Sequence, residues 1–351
     1  MFFEQISQSP IALLLLWIFS GCLTYLIIQP IRAFAIKREI TDKPNMARKL
    51  QDNPVPYLGG IGIAFSIGLF GTVGIFLGTQ SKLLFPIFAA ILFPATLMLI
   101  LGLIDDTYVL GAKVKLVIQL LAGMISAAVL ISTNTIGKSF GSDLVNFLLS
   151  ILWIVAITNS INLLDNSDGV SGGVVTISTL TLGILSFQGG QFLVGGLSVL
   201  ISGATLGFLV WNLPPARIYL GDSGALFLGL MMAVLTIRIS PENLALPYSF
   251  FVVLLVMFIP ILDTSLVFAT RISRGSSPFL GGRDHLAHRL KRNGNDTKKT
   301  GIILWSLNGF FNLNAILLFN FSNSFGILIV AINSIAFIYL FIKFWQIPAQ
   351  D

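Results

Sequence analysis

The sequence predicts an all-α integral membrane protein of about eleven transmembrane helices. Three observations predict it. The 351 residues are 55% hydrophobic and only 10% charged. Mean hydropathy is +0.89, in the range of chains solvated by lipid rather than folded around a water-excluding core. The apolar residues fall in runs of about 20, the length that crosses a bilayer as a helix.

In order, the runs cover 10–31, 57–77, 82–104, 114–132, 144–164, 169–187, 191–211, 218–238, 246–269, 301–321 and 324–345. The first is too long for the apolar part of a secretory leader. It lacks a basic flank and a small-x-small cleavage site, so it is read as a retained span. It holds Cys22, the single cysteine, which excludes an intramolecular disulfide. The whole chain, 1–351, reads as one polytopic domain with loops at about 32–56, 105–113, 163–168, 212–217 and 270–300. No repeat of 20–50 residues interrupts it.

Charge sets the expected orientation. With the N-terminus outside, eleven spans leave the C-terminus in the cytoplasm and put 18 of the 21 Lys and Arg on the cytoplasmic side, among them Lys49, Lys115 and the cluster from Arg271 to Lys299. Only Lys82, Lys138 and Arg238 remain outside. The net charge of +6 is then a membrane-topology signal and does not call for nucleic acid; anionic membrane lipids add to the attraction.

The acidic residues share that face. Asp105 and Asp106, in GLIDDTYVLGAKVKLVIQ, are expected to end the third span, where carboxylates oppose the helix dipole. Lys115 opens the fourth span, again with the sign the dipole disfavours. Simple solvation at the interface explains either; so does a site for a pyrophosphate and a metal. In NSINLLDNSDGVSGG, Asn162 and Asp165 share one helix face, and Asn166-Ser167 and Gly169 signal a break. Asp168 then fits an N-cap of the sixth span as well as a ligand contact. In WNLPPARIYLGDSGALFLG, Pro214-Pro215 end the seventh span and Asp222 sits on a Gly-lined turn at the start of the eighth, either as an N-cap or as a metal ligand. SPFLGGRDHLAHRL carries both histidines, His285 and His288, beside Arg283, Asp284 and Arg289. Two histidines without a further Cys or His nearby in the sequence do not complete a zinc site, and arginines around them suit phosphate. Asp263 lies inside the ninth span, where an ionisable residue marks either a functional group or a buried partner such as an arginine.

Carboxylate and amide oxygens without thiols suit Mg²⁺ or Mn²⁺, and basic groups from separate loops suit a diphosphate. Together they point to phosphoryl transfer between a soluble nucleotide and a lipid, a chemistry carried by electrostatics and positioning.

As a set, these motifs resemble the polyprenyl-phosphate N-acetylhexosamine-1-phosphate transferase family: DKP, RK and PVPYLGG in the first loop, GLIDD, K-x-x-x-Q at Lys115–Gln119, N-x-x-N-x-x-D-x-x-DG, NLPPARIYLGDSGALFLG, P-x-x-D-T at Pro260–Thr264, and SPFLGGRDHLAHRL. The resemblance covers nearly the whole chain. It implies a Mg²⁺-dependent enzyme of the bacterial cytoplasmic membrane, with its active site on the cytoplasmic face. The implied reaction transfers HexNAc-1-phosphate, most often GlcNAc-1-phosphate, from a UDP-HexNAc to a polyprenyl phosphate carrier and releases UMP. It also allows a homodimer. By position it assigns Asn162 and Asp222 to the metal, Asp105 and Asp106 to the catalytic pair with Asp105 as base, and Lys115, Asp165, Arg283, His285 and His288 to the diphosphate. Asp168, Asn212 and Tyr219 fall at the uridine pocket, with Lys49 and Asp263 as further site positions. Two departures are visible: Leu50-Gln51 follow Arg48-Lys49 where close relatives usually have a histidine near, and Ala287 replaces the middle histidine of the family's H-x-H-H. The histidine-triple form of the pentapeptide translocase is absent, which argues against that member. Direct attack and a covalent aspartyl intermediate both remain open. The rival class, a secondary transporter, predicts two repeated halves with charges near the midplane, and the sequence shows neither.

Overall fold

The computed structural model describes residues 9–42, 54–77, 81–108, 110–137, 139–239, 244–278 and 282–348. Twelve helices account for most of them: α1 (Pro10–Lys37), α2 (Gly59–Phe76), α3 (Ser81–Tyr108), α4 (Ala112–Ser132), α5 (Asp143–Leu164), α6 (Val170–Gln188), α7 (Phe192–Asn212), α8 (Gly221–Arg238), α9 (Leu246–Val256), α10 (Phe258–Ser273), α11 (Leu286–Arg292) and α12 (Thr297–Trp345). Two-residue strands β1 (Thr41–Asp42) and β2 (Val55–Pro56) pair antiparallel inside the first expected loop. Among the described residues, nine helices are long and apolar enough to cross a membrane, or ten if the bent pair α9–α10 is one span. The chain is an all-α integral membrane protein.

Burial ranks the helices. α6, α7 and α8 are enclosed on nearly every face, whereas α1 and α12 expose most of their apolar length, as helices facing lipid do. α8 is the central post, packed against α3 and α5. Its N-terminal turn approaches α3 so closely that a Cβ on Gly102 would collide with the Ser223 backbone. Small residues let membrane helices come together in this way.

Several expected boundaries move. α1 runs six residues past 31, to Lys37, with Ser9 Oγ accepting the Ala12 N–H at 3.3 Å as its N-cap. α3 continues to Tyr108, so Asp105 and Asp106 lie within its last turn rather than in a loop. The long loop at 270–300 contains α11, and the following helix starts at Thr297.

The ninth span is broken. α9 and α10 meet at Met257 with a bend of 79°. Pro260 has no N–H to give to Val256 O, four residues back. That carbonyl accepts instead from Ser178 Oγ at 2.8 Å and Asn312 Nδ2 at 3.4 Å, so the break leaves no orphan acceptor in the bilayer.

α12 reverses direction. Its 49 residues contain one non-helical position, Phe321 (φ −123°, ψ 22°). The Phe258 ring lies 3.4 Å from that of Phe311 and 5.5 Å from that of Phe337. On a straight helix those two partners would be about 39 Å apart. Arg289 of α11, shortly before α12 begins, also bonds the Phe344 carbonyl near its far end, at 2.9 Å. The chain therefore folds back at Phe321, the point at which the tenth expected span ends.

Candidate active site at one end of the bundle

The ends of α3, α5 and α7 and the starts of α4, α6 and α8 converge. Asp106 joins two of them: its Oδ1 accepts the Asp222 N–H at 2.9 Å and its Oδ2 the Ser223 N–H at 3.3 Å. A carboxylate that opposes the dipole of α3 thus caps the positive end of α8. The cap needs Gly221, which has φ +74°; a Cβ there would stand 2.6 Å from Asp106 Oδ2. Asp222 is not itself the N-cap of α8: it lies in the first turn, and Leu220 occupies the cap position.

Lys115 sits between two carboxylates, with Nζ 2.7 Å from Asp105 Oδ2 and 3.4 Å from Asp222 Oδ2. Asp105 Oδ1 accepts the Leu110 N–H at 2.6 Å. Asn162 Nδ2 donates to Asp222 Oδ1 at 2.9 Å. One turn back on α5, Asn159 Nδ2 donates to Gln119 Oε1 at 2.6 Å, locking α4 to α5 beneath the cluster. Asp105, Asp106, Lys115, Asn162 and Asp222 are thereby joined through direct bonds.

The α5–α6 junction forms the second wall. Asp165 is the C-cap residue of α5, and its Oδ1 accepts from Ser171 Oγ at 2.5 Å. Burial pushes its carboxyl up to about 7, opposed by the Ser171 hydrogen bond. Asp168 does not cap α6: Gly169, with φ +74°, holds that position, and Asp168 Oδ2 accepts the Ala216 N–H at 3.0 Å. Asn212 is buried, its Oδ1 accepting from Gly169 N and its Nδ2 donating to Ile218 O, both at 2.9 Å. It clamps the wall together, with both ends of its amide committed to backbone. Asn166 Oδ1 and Ser167 Oγ are buried without a partner among the described residues.

Tyr219 stands at the rim. Its N–H donates to Pro56 O at 2.8 Å, and its ring lies 6.1 Å from that of Tyr57. Sequence reasoning missed Tyr57. Burial pushes its hydroxyl up, as does its hydrogen bond to Asp42, and it also feels the charges of Asp106 and Asp222. The β1–β2 ribbon thus brings the first loop to the site. The only available signal was the tyrosine in PVPYLGG. Lys49, from the same loop, lies outside the described residues.

The 270–300 segment divides its charges. Arg271 forks onto Asp284 with two 2.7 Å bonds. Burial alone would raise the Asp284 carboxyl, but Arg271 holds it below the usual range. Arg289 is spent on the Asp284, Phe344 and Ile347 carbonyls and on Thr270 Oγ1. These two arginines fasten α11 to the bundle and are not available to gather substrate. Burial, then the charges of His285, Lys291, Arg283 and Arg292, push His288 down to about 4; on its own it is neutral at pH 7. Arg283 is half-buried, and its carbonyl accepts from Arg292 Nη2 at 2.6 Å. Asp263 is wholly buried and pairs with His285, not with an arginine. Among the described residues, no hydrogen bond or ion pair ties His285 or His288 to the Lys115 cluster. The link is Lys291, which feels Asp168, and Trp305 of α12, whose Nε1 donates to Gly169 O at 3.1 Å.

The donor set fits a hard divalent cation. Among the described residues no three His, Cys, Asp or Glu converge as a closed metal site. The carboxylates of Asp105 and Asp222 nevertheless approach within hydrogen-bonding reach of each other. Two carboxyls this close need a shared proton or a cation to offset their charge, and the Lys115 ammonium lies within 3.4 Å of both. A Mg²⁺ ion characteristically takes one or two carboxylates and completes its shell with water and substrate phosphate.

A polytopic helical bundle thus gathers carboxylates, an amide and a lysine at one end. The chain belongs to glycosyl transferase family 4, whose profile matches residues 88–240. It is 33% identical over 302 residues to the probable undecaprenyl-phosphate N-acetylglucosaminyl 1-phosphate transferase of Bacillus subtilis (strain 168), covering 84% of this chain and 82% of the relative. It is 30% identical over 317 residues to the decaprenyl-phosphate N-acetylglucosaminephosphotransferase of Mycobacterium tuberculosis (strain ATCC 25618 / H37Rv), covering 82% of this chain and 77% of that one. A shorter stretch of 139 residues is 34% identical to the phospho-N-acetylmuramoyl-pentapeptide-transferase of Streptococcus pyogenes, covering 38% of this chain and 41% of the relative.

Proposed function

We propose that this protein transfers GlcNAc-1-phosphate from UDP-GlcNAc to a polyprenyl phosphate, undecaprenyl phosphate in bacteria, as the first membrane step of cell-envelope glycan synthesis. The observation that carries the reading is the cluster in which Lys115 bridges Asp105 and Asp222 while Asn162 holds Asp222. The relatives' names supply the substrates, and no observation favours a transporter.

A phosphate oxygen of the lipid attacks the phosphorus next to the sugar. The bond to the bridging oxygen breaks, UMP leaves, and polyprenyl-diphospho-GlcNAc remains. Asp222 and Asn162 would hold Mg²⁺, which when bound neutralises charge on the diphosphate. Asp105 takes the proton of a monoprotonated lipid phosphate, and Lys115 turns from the carboxylates to the diphosphate. Asp106 keeps Asp222 in place. Asp168 and Tyr219 face the uridine along a wall that Asn212 holds, and Asp165 borders the diphosphate.

The same reading places the N-terminus outside, the C-terminus in the cytoplasm and the site at the cytoplasmic face of a bacterial inner membrane. A count of eleven candidate spans among the described residues supports it, if α9–α10 is taken as one and α12 is divided at the reversal at Phe321.

The test incubates purified protein with UDP-GlcNAc, undecaprenyl phosphate and Mg²⁺. UMP release that EDTA stops and Asp222→Ala abolishes is expected. Release that survives both removes the assigned site.

A further inference from the structure

We propose that Asp263 is a positioning residue that sets the tautomer of His285, so that ring nitrogen Nε2 is the atom offered to a phosphate oxygen of the substrate. The proposal rests on the phosphoryl-transfer reading above for the identity of that oxygen, but not for the pairing itself.

Asp263 is 0% exposed, in the middle of α10. A carboxylate there is costly unless both oxygens are engaged. They are: Oδ2 lies 2.9 Å from His285 Nδ1, and Oδ1 accepts the Leu286 N–H at 2.6 Å. One side chain thus fixes a ring and the backbone that follows it, at the start of α11. A carboxylate only accepts, so the ring nitrogen facing it carries the hydrogen. Nδ1 is therefore protonated, and Nε2 is the ring position left for chemistry. Nε2 makes no hydrogen bond among the described residues. The residue is 4% exposed, so this is a held group and not a surface histidine.

Its other neighbours do not compete for Nδ1. Asp284 is forked onto Arg271. The His288 ring centroid is 6.3 Å away. Arg283, Lys291 and Arg292, whose charges act on the neighbouring His288, are cations. The location suits a phosphate contact: α10 packs on α5, which carries Asn162 in its last turn, and α11 carries Lys291 towards Asp168. A proton between Nε2 and a phosphate oxygen serves whether the ring or the phosphate supplies it. A carboxylate behind a histidine fixes ring orientation and tautomer in just this sense. Asn at the same place keeps an oxygen for Leu286 N but turns an N–H₂ donor towards Nδ1, which drives the hydrogen to Nε2.

The chain has two histidines, so ¹⁵N-histidine NMR of the full-length protein in detergent shows two rings, assigned with His288→Gln. One ring is expected to keep its Nδ1 hydrogen throughout a pH titration and to transfer it to Nε2 in Asp263→Asn. Rings unchanged by Asp263→Asn would overturn the proposal. In the UMP-release assay, Asp263→Asn and His285→Ala should each lower kcat about a hundredfold or more. The double variant should be no slower than His285→Ala alone; multiplying losses would show that Asp263 acts apart from His285. If the wild type releases no UMP, the function reading fails while the tautomer result still decides the pairing.

Discussion

The carboxylate of Asp106 accepts the backbone N–H of Asp222 at 2.9 Å across 116 residues of sequence. Together with its bond to Ser223 N, this makes Asp106 the cap of a helix in another part of the chain. Removing a cap carboxylate costs about 1–2 kcal/mol. Asp106→Ala is expected to lower both the thermal midpoint in detergent and the rate of UMP release. Asp106→Asn, which keeps one acceptor, should lie between it and wild type. Loss of rate with an unmoved midpoint in both variants would return Asp106 to a purely chemical role.

Lys115 bridges Asp105 and Asp222, two carboxylates that would otherwise repel. In Lys115→Met the metal-free protein should unfold at a lower temperature than wild type. Added Mg²⁺ should stabilise the variant more than the wild type, because the ion no longer displaces an ammonium. Activity should fall about a hundredfold, the scale of losing one electrostatic contact to a transferring group. Equal Mg²⁺ stabilisation of the two proteins would mean that the ammonium and the ion do not share a place.

The sequence made the face of the site legible but not its internal division of labour. Asp105 and Lys115 stand out because each opposes the dipole of its helix, Asn162 and Asp222 because of the motifs that carry the family resemblance, and the structure brings those four together. The cap made by Asp106 was illegible, since sequence carries no sign that a carboxylate in α3 meets a backbone N–H in α8. Arg271 and Arg289 look like substrate cations from composition; only their bonds to Asp284 and to the Phe344 and Ile347 carbonyls show that they are internal fasteners. Tyr57 and Asp42 were missed because two-residue strands have no periodicity to read. In the fold, the expected gap after 321 falls at the non-helical Phe321. The break at Met257 was overlooked although Pro260 was in view, because hydropathy is continuous through it.

Acid sensitivity has one traceable source in His288. Its ordinary value of 6.5 is pushed down to about 4, by burial first and then by the positive charges around it. An unfolded chain therefore takes up this proton near pH 6.5 and the native one only near 4. Between those values the unfolded state binds more protons, so stability falls as the pH drops through that window and is unaffected by this group above it. His288→Gln titrates in neither state. Its midpoint relative to wild type should improve steadily from pH 6.5 to 4, read by thermal unfolding at constant ionic strength. Parallel curves for the two proteins would show that His288 is protonated in the native state already.

The bend between α9 and α10 links stability to the site. Pro260 leaves Val256 O without its helical donor, and Ser178 and Asn312 supply replacements. Ser178→Ala should cost about 0.5–1.5 kcal/mol, the net worth of one hydrogen bond, since Asn312 Nδ2 still reaches Val256 O. In a Pro260→Ala background the residue-260 N–H can return to that carbonyl, so the same Ser178→Ala change should cost less. It should not become free, because Ser178 Oγ also accepts from Asn308 Nδ2 at 3.1 Å. The difference between the two costs, taken as a double-mutant cycle, measures the coupling. Additive costs would mean that the hydroxyl does not stand in for the missing N–H. Pro260→Ala should also slow UMP release while leaving the protein as stable as before or more so, because straightening the 79° bend carries Asp263, less than one helical turn further on, away from His285.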